Sequence, residues 1–209
     1  MRKPIAIFVL LLAACRGERI EEFKPPAQQP QAAAVVPSKV VVRDAGNAEV
    51  FTFAEDANES VMVTYVEGGQ THTLRGDTRE SGKRKYTLDG GAVAFEVKPG
   101  DDESFKVRTP DGKLRWKVKV TAEKIKVSDN EENANPFELK RRDGGRVKVV
   151  APGERELGNV RSGKVENAAG QTQFTFDGNA STAYGALLLD PVPAPERYIV
   201  AAELLSRGQ

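Results

Sequence analysis

Chemically reactive side chains are scarce in this chain. Among its 209 residues there is one histidine and one cysteine, so neither a pair of histidine metal ligands nor an intrachain disulfide can form. His72 stands between two threonines in a strand-like segment, and no Gly-x-Ser-x-Gly nucleophile turn accompanies it. We therefore expect His72 to be an exposed or half-buried strand residue.

One oxygen-rich cluster suggests a Ca²⁺ site. Its members are Asp129, Asn130, Glu131, Glu132, Asn133 and Asn135. An EF-hand loop needs a glycine at its sharp turn and a glutamate at its twelfth position, and neither is correctly placed here. The segment is predicted to be a solvated turn, as is 101–103, and the sequence predicts no metal and no cofactor. Carboxylate pairs that converge only after folding leave no such pattern, so an envelope hydrolase stays open as an alternative.

The single cysteine closes an N-terminal leader. Arg2 and Lys3 precede the apolar run 5–14. This run ends in Leu12-Ala13-Ala14, and Cys15 follows directly. About 20 apolar residues are needed to span a bilayer, so the run is too short for a transmembrane helix. The pattern predicts a cleaved signal peptide over residues 1–14.

This leader resembles the signal peptide of bacterial lipoproteins, whose Leu-Ala-Ala-Cys box is cut before a diacylated cysteine. The resemblance implies that Cys15 becomes the mature N-terminus and carries acyl chains such as palmitate. In that family an aspartate after the cysteine retains the protein in the inner membrane, and Arg16 stands there instead. The expected location is the cell envelope, on the periplasmic side of the outer membrane.

The rest of the chain divides into a tether and a folded domain. Residues 15–38 contain four prolines in a Gln/Ala-rich background, which predicts a semi-extended tether with a reach of about 60–70 Å at roughly 3 Å per residue. The domain is expected over 39–209. Without disulfides, its stability must come from burial and hydrogen bonding.

Turn signals and alternation predict a mainly β domain. Dipeptides such as Gly68-Gly69 and Asp111-Gly112 separate short runs rich in β-formers. Period-two alternation is clearest over 113–120, where apolar residues alternate with lysine and arginine. We expect an antiparallel β-barrel or roll, or a sandwich, of about a dozen short strands.

The pattern becomes helical near the C-terminus. A short helix is predicted over 181–189, ended by Asp190-Pro191, and a second begins with Pro195 at its first position. Apolar residues surround the second helix almost completely, with Glu203 and Arg207 as its clear polar breaks. This hydrophobic C-terminal helix is therefore expected to be buried.

Strands with Asp-Gly turns followed by a hydrophobic helix resemble the tubby C-terminal and LURP-one-like superfamily. The resemblance runs from about Tyr86 to Leu205, with landmarks at 105–107, 116–127 and 136–139 and in the closing helix. It implies a barrel around one buried helix, and some members bind phosphoinositides or other lipid head groups. The prolines that divide the C-terminal helical region depart from a single continuous helix.

Charge is divided unequally along the domain. Residues 44–103 hold 13 acids and 6 bases, whereas 104–148 hold 13 bases and 7 acids. The reversal coincides with a candidate boundary near 98–100, and whether 39–97 forms a separate small sheet stays open. Cations recur at every other position in the second block, so adjacent strands should gather them on one outer face.

These features predict a membrane-tethered, non-enzymatic binding or scaffolding module. The contact residues are expected to be Lys117, Lys119, Lys124, Lys126, Arg141 and Arg142. Partners would be the membrane, through the lipid anchor, and an anionic lipid, glycan or envelope protein. Nucleic acid is disfavoured because of the expected location and because Trp116 belongs to the core, leaving no row of exposed aromatic residues. The third alternative is a purely structural component of an envelope complex.

Overall fold

A computed structural model describes residues 39–178 and 180–209. The predicted signal peptide, Cys15 and the tether lie outside the described residues. The strands are β1 (Lys39–Asp44), β2 (Glu49–Glu55), β3 (Val61–Glu67), β4 (Gln70–Thr78), β5 (Arg84–Leu88), β6 (Val93–Pro99), β7 (Phe105–Arg108), β8 (Leu114–Val120), β9 (Lys124–Ser128), β10 (Phe137–Arg142), β11 (Arg146–Val150), β12 (Glu156–Arg161), β13 (Lys164–Asn167) and β14 (Thr172–Phe176).

The fourteen strands form one closed antiparallel barrel. Each strand pairs with its neighbours in sequence, and β1 closes the barrel on β14, with Val42 opposite Phe176. The predicted β-barrel is therefore confirmed, with fourteen strands where about a dozen were expected. Strands β6 and β7, on either side of Gly100, pair with Val97 opposite Val107, so the segment 39–97 supplies the first strands of this barrel.

Alternation along each strand decides which side chains face the interior. In β8, Trp116, Val118 and Val120 are buried, whereas Lys119 between them is exposed. Val118 and Val120 lie opposite Val127 and Ile125 of β9, which are fully buried too. The barrel interior is therefore the core, and the lysines of this region are on its outer surface.

Two helical segments fill the interior. A 3₁₀ helix (Thr182–Leu188) is buried throughout, and the hydroxyl of Ser181 caps it by accepting a hydrogen bond from the backbone N–H of Ala183. Helix α1 (Ala194–Ser206) follows, with nine of its thirteen residues buried. The expected buried C-terminal helix is confirmed, although Pro195 occupies its second position rather than its first.

The strand arrangement gives the barrel two distinct ends. Because the strands alternate in direction and are even in number, β1 begins and β14 ends at the same end, which we call the terminal end. The turns after even-numbered strands lie there, and those after odd-numbered strands lie at the opposite far end. Helix α1 runs towards the terminal end, since Glu196 bonds Trp116 near the far end and Glu203 bonds Arg84 at the start of β5.

Candidate functional site

Lysines stand opposite lysines on the outer surface of β6 to β9. Lys106 of β7 is opposite both Lys98 of β6 and Lys117 of β8. Lys119 of β8 is opposite Lys126 of β9. We call the following set the lysine face: Lys98, Lys106, Lys117, Lys119, Lys124 and Lys126. Directly opposite side chains in an antiparallel pair lie about 5 Å apart at Cβ, and like charges there are destabilising.

Two glutamates supply much of the counter-charge. The Glu131 carboxylate lies 2.7 Å from the Lys106 ammonium and 2.6 Å from the Arg108 guanidinium. Its backbone carbonyl accepts a hydrogen bond from Lys117. The Glu131 carboxylate is therefore shared by two cations, whereas the Lys117 ammonium, among residues 39–178 and 180–209, bonds to a neutral carbonyl.

Glu138 is shared more widely. Its carboxylate lies 2.7 Å from Lys124, 3.1 Å from Lys140 and 3.7 Å from Lys126. Burial of the carboxylate opposes ionisation, but hydrogen bonds from Lys124 and Lys140 outweigh that effect and lower the pKa of Glu138. Glu138 is thus held as an anion, and one negative charge faces three lysines. The lysine face retains surplus positive charge.

The lysine face opens into a groove at the β6–β7 turn. This groove has a volume of about 570 Å³ and is lined by Lys98, Lys106, Lys117 and Lys119 together with Arg108. Asp101 and Asp102 of the turn also line it. Two of the six predicted contact residues, Lys117 and Lys119, therefore come together here, joined by two lysines and an arginine that the prediction did not include.

The prediction of a single outer face is wrong for Arg141. In β10, Arg141 has the same orientation as Leu139, which is fully buried. Its guanidinium bonds inward, donating to the Thr182 hydroxyl over 3.1 Å and to the carbonyl of Ala122 over 2.9 Å. Burial lowers the pKa of Arg141. Alternation in β10 thus separates Arg141 from the outward lysines.

Arg141 nevertheless reaches solvent at the terminal end. With Lys124, Lys140 and Arg142 it lines a second groove of about 520 Å³ between the β8–β9 and β10–β11 turns. Arg142 is exposed and stands opposite Arg146. Lys126 lies on the lysine face between the two grooves, where it faces Glu138. Five of the six predicted residues accordingly line two neighbouring grooves, and Lys126 lies between them.

A buried polar network ties α1 to β5. Glu203, 1% exposed, accepts hydrogen bonds from Arg84 over 2.9 Å, Tyr86 over 2.8 Å and Arg207 over 3.0 Å. Burial and the neighbouring Glu203 carboxylate raise the pKa of Tyr86 well above its usual value. Sequence reasoning took Glu203 as a polar break on the helix. A carboxylate within the otherwise apolar segment 198–205 of this helix was the available signal that it has buried partners.

Helix α1 is anchored at its other end by Glu196. This carboxylate accepts hydrogen bonds from Arg115 over 2.8 Å and from the Trp116 indole over 2.5 Å. Trp116 pairs with Val107 and Leu114 with Arg108, so Arg115 is the extra residue of a β-bulge. The bulge lets two consecutive side chains reach one carboxylate. The prediction that Trp116 belongs to the core is confirmed.

The other residues considered for chemistry have local structural partners. His72, with 25% of its side chain exposed, places Nδ1 2.8 Å from the Asp89 carboxylate and stacks on Tyr65, which confirms its prediction as a half-buried strand residue. In the segment 129–135, the Asn130 carboxamide bonds both backbone groups of Ala134. Within residues 39–178 and 180–209, no group of three or more His, Cys, Asp or Glu side chains is arranged to hold a metal ion.

In the same described ranges, no helix has both the length and the apolar content needed to cross a bilayer. A scan against protein-family models, a search of curated proteins and a search of solved structures each found no match to this chain.

Proposed function

We propose that this protein is a membrane-tethered lipoprotein whose barrel binds an anionic ligand in the cell envelope without transforming it. The Leu12-Ala13-Ala14-Cys15 sequence supports the anchor, with Cys15 as the acylated residue and residues 15–38 as the tether. The lysine face supports the ligand class. The barrel with its buried helix has the architecture that the tubby-like resemblance implies, and the proposal extends that resemblance to a lipid head group or a similar anion.

The alignment of Lys98, Lys106 and Lys117 across three strands carries the proposal. Each pair places two lysines directly opposite each other in the strand register, and like charges so placed cost up to about 1 kcal/mol per pair. A bound anion would relieve this repulsion and gain charge-assisted hydrogen bonds. The groove of about 570 Å³ beside these lysines gives an anionic group room to approach them.

The chemistry of the nearby carboxylates favours binding over hydrolysis. A general acid at neutral pH needs a raised pKa. Lysine and arginine side chains instead lower the pKa of Glu131, with the Lys106 hydrogen bond first among the causes. The pKa of Glu138 is lowered as well. These two carboxylates serve as counter-charges, and the envelope hydrolase remains the rival hypothesis.

Binding of the full chain carrying Cys15→Ser, which cannot be acylated, to vesicles tests ligand recognition separately from the anchor. Vesicles of phosphatidylglycerol with phosphatidylcholine, and an anionic glycan in parallel, are titrated at increasing salt. The double change Lys117→Glu with Lys119→Glu is expected to weaken binding at least about 30-fold, because each basic residue near an anionic surface contributes about 1 kcal/mol. Acylation is checked separately by the mass of the N-terminal peptide.

A matched variant separates the lysine face from overall charge. Lys83→Glu with Lys113→Glu makes the same change at two exposed turn lysines outside the groove, and it should weaken binding far less. Binding that ignores salt, or that responds equally to both double variants, contradicts a role for the lysine face. Turnover of a substrate by the purified chain contradicts the non-enzymatic assignment.

A further inference from the structure

The turns at the terminal end carry opposite charges on opposite sides of the barrel. On one side, the turns β2–β3, β4–β5 and β6–β7 form an acidic rim of exposed carboxylates: Asp56, Glu59, Glu80, Asp101, Asp102 and Glu103. On the other side, the turns β8–β9, β10–β11 and β12–β13, with the strand ends beside them, form a basic rim of exposed cations: Lys119, Arg142, Arg146, Arg161 and Lys164.

Opposite-sign residues within each rim do not cancel its charge. The acidic rim contains Arg79 and Lys83, which leaves four more acids than bases. The basic rim contains Glu123 and Asp143, which leaves three more bases than acids. Arg161 also bonds the Glu166 carboxylate over 2.9 Å. The terminal end is therefore an electric dipole that lies across the barrel.

Strand order produces this dipole. In this barrel each strand pairs with its neighbours in sequence, so a charge block along the chain becomes a charged side of the molecule. The acid-rich block 44–103 covers β2 to β6, and the base-rich block 104–148 covers β7 to β10. The charge reversal in the sequence thus appears as two halves of one rim.

The polypeptide enters the barrel at the terminal end. Lys39 begins β1 at the terminal end, so the segment before it is covalently connected there. We propose that the basic rim, with the lysine face beside it, is the edge by which the domain rests on an anionic bilayer, and that the turns β2–β3 and β4–β5 of the acidic rim are turned away from the lipid. This orientation rests on the anchoring in the proposed function and adds the partner, which is the head-group surface itself.

Because the tether connects the domain to the membrane, a modest electrostatic attraction is sufficient to orient the domain there. A domain tethered to a surface is held near it at an effective concentration of about millimolar. Surface charges act over a Debye length of about 8 Å at physiological ionic strength. The basic rim gains about fivefold in occupancy of the surface for each cation that approaches it. The acidic rim is repelled over the same distance. Attraction of one rim and repulsion of the other therefore tilt the barrel axis relative to the bilayer.

Two exposed serines allow the orientation to be measured. Ser162 lies in the β12–β13 turn of the basic rim, and Ser81 lies in the β4–β5 turn of the acidic rim. Ser162→Cys and Ser81→Cys each place one thiol for a fluorescent label. Cys15 is the only native cysteine, and once acylated its sulfur does not react with a maleimide dye. The full acylated chain is reconstituted into vesicles of phosphatidylglycerol and phosphatidylcholine in equal amounts.

A quencher on the lipid head groups should quench the label at position 162 roughly threefold more than the label at position 81. High salt, or vesicles of phosphatidylcholine alone, should remove the difference because screening or neutral lipid removes the attraction. Arg142→Glu with Arg146→Glu should remove it in anionic vesicles. The matched double variant Arg79→Glu with Lys83→Glu, on the acidic rim, should retain it.

The outcomes separate the two proposals. An N-terminal peptide without acyl mass overturns the anchoring and, with it, this orientation. Equal quenching at the two positions in an acylated chain, or stronger quenching at position 81, overturns the orientation alone. A difference that survives Arg142→Glu with Arg146→Glu also overturns it, because the basic rim would then not be its cause.

Discussion

At the residue scale, Glu203 places a carboxylate inside the barrel with two guanidinium groups and a phenol around it. Arg84 also bonds the Thr78 hydroxyl and the backbone carbonyl of Glu59, so its remaining donors are used within the same network. A buried charge is costly unless it is paired and hydrogen-bonded. The network therefore stabilises the fold only while it is complete.

Tyr86→Phe tests that dependence by removing one hydroxyl group. The ring still packs, but Glu203 loses a hydrogen bond of 2.8 Å, and we expect unfolding free energy to fall by about 1–3 kcal/mol. Urea denaturation measures it. Tyr184→Phe, which keeps its stack on Phe176, is the control and should cost less. Equal losses would show that the network contributes nothing specific.

Glu138→Gln tests the shared carboxylate through pH. The folded-state pKa of Glu138 is lowered from 4.5, so its ionised form is favoured by folding. That contribution is complete above pH 4.5 and is lost as pH falls through the folded-state pKa. The variant should be about 1 kcal/mol less stable than the native chain at pH 7, with a difference that shrinks in acid.

Glu154→Gln is the matched control for Glu138. Within the part of the chain that the structure describes, its carboxylate pairs with Lys140 alone, at 2.7 Å, and 72% of its side chain is exposed. Surface pairs of this kind contribute little, so no change in the urea midpoint is expected at pH 7. A Glu138→Gln difference that stays constant from pH 7 down to pH 3 would contradict the lowered pKa.

At the element scale, the 3₁₀ helix approaches β10 and β11 through a glycine. A Cβ on Gly185 would lie 3.0 Å from the Val149 side chain and 3.1 Å from Leu139. Gly185→Ala should therefore destabilise the barrel by about 1–3 kcal/mol through overpacking, measured by thermal or urea unfolding. Adding Leu139→Val shortens the facing side chain by one carbon and should recover part of the loss. Strictly additive losses would show that the two sites are independent.

The strands and helices also show which features could be predicted from the sequence. Alternation over 113–120 predicted β8 correctly because Trp116, Val118 and Val120 repeat every second residue on one side. Arg141 was misplaced because charge spacing was followed across β10, whereas its shared orientation with Leu139 would have turned it inward. The partner of Glu203 could not be inferred, since Arg84 lies 119 residues away along the chain and no local pattern connects them.

At the scale of the whole molecule, closure of the barrel was the least predictable property. Glycine-rich turns indicate hairpins, but each hairpin looks alike whether the sheet closes, rolls or stacks. Closure depends on the pairing of β1 with β14, which places Val42 opposite Phe176. No local residue pattern encodes that pairing. The charge reversal was visible in sequence, yet only the strand order shows that it divides one rim into two sides.

Closure by the last strand also bears on when the chain can fold. The seam between β1 and β14 cannot form until residues 172–176 have been synthesised, and the helix that fills the interior comes later still. Pairings of such high contact order form slowly. A growing chain therefore has no complete core to collapse around until α1 has been synthesised, and the barrel becomes rigid only after that point.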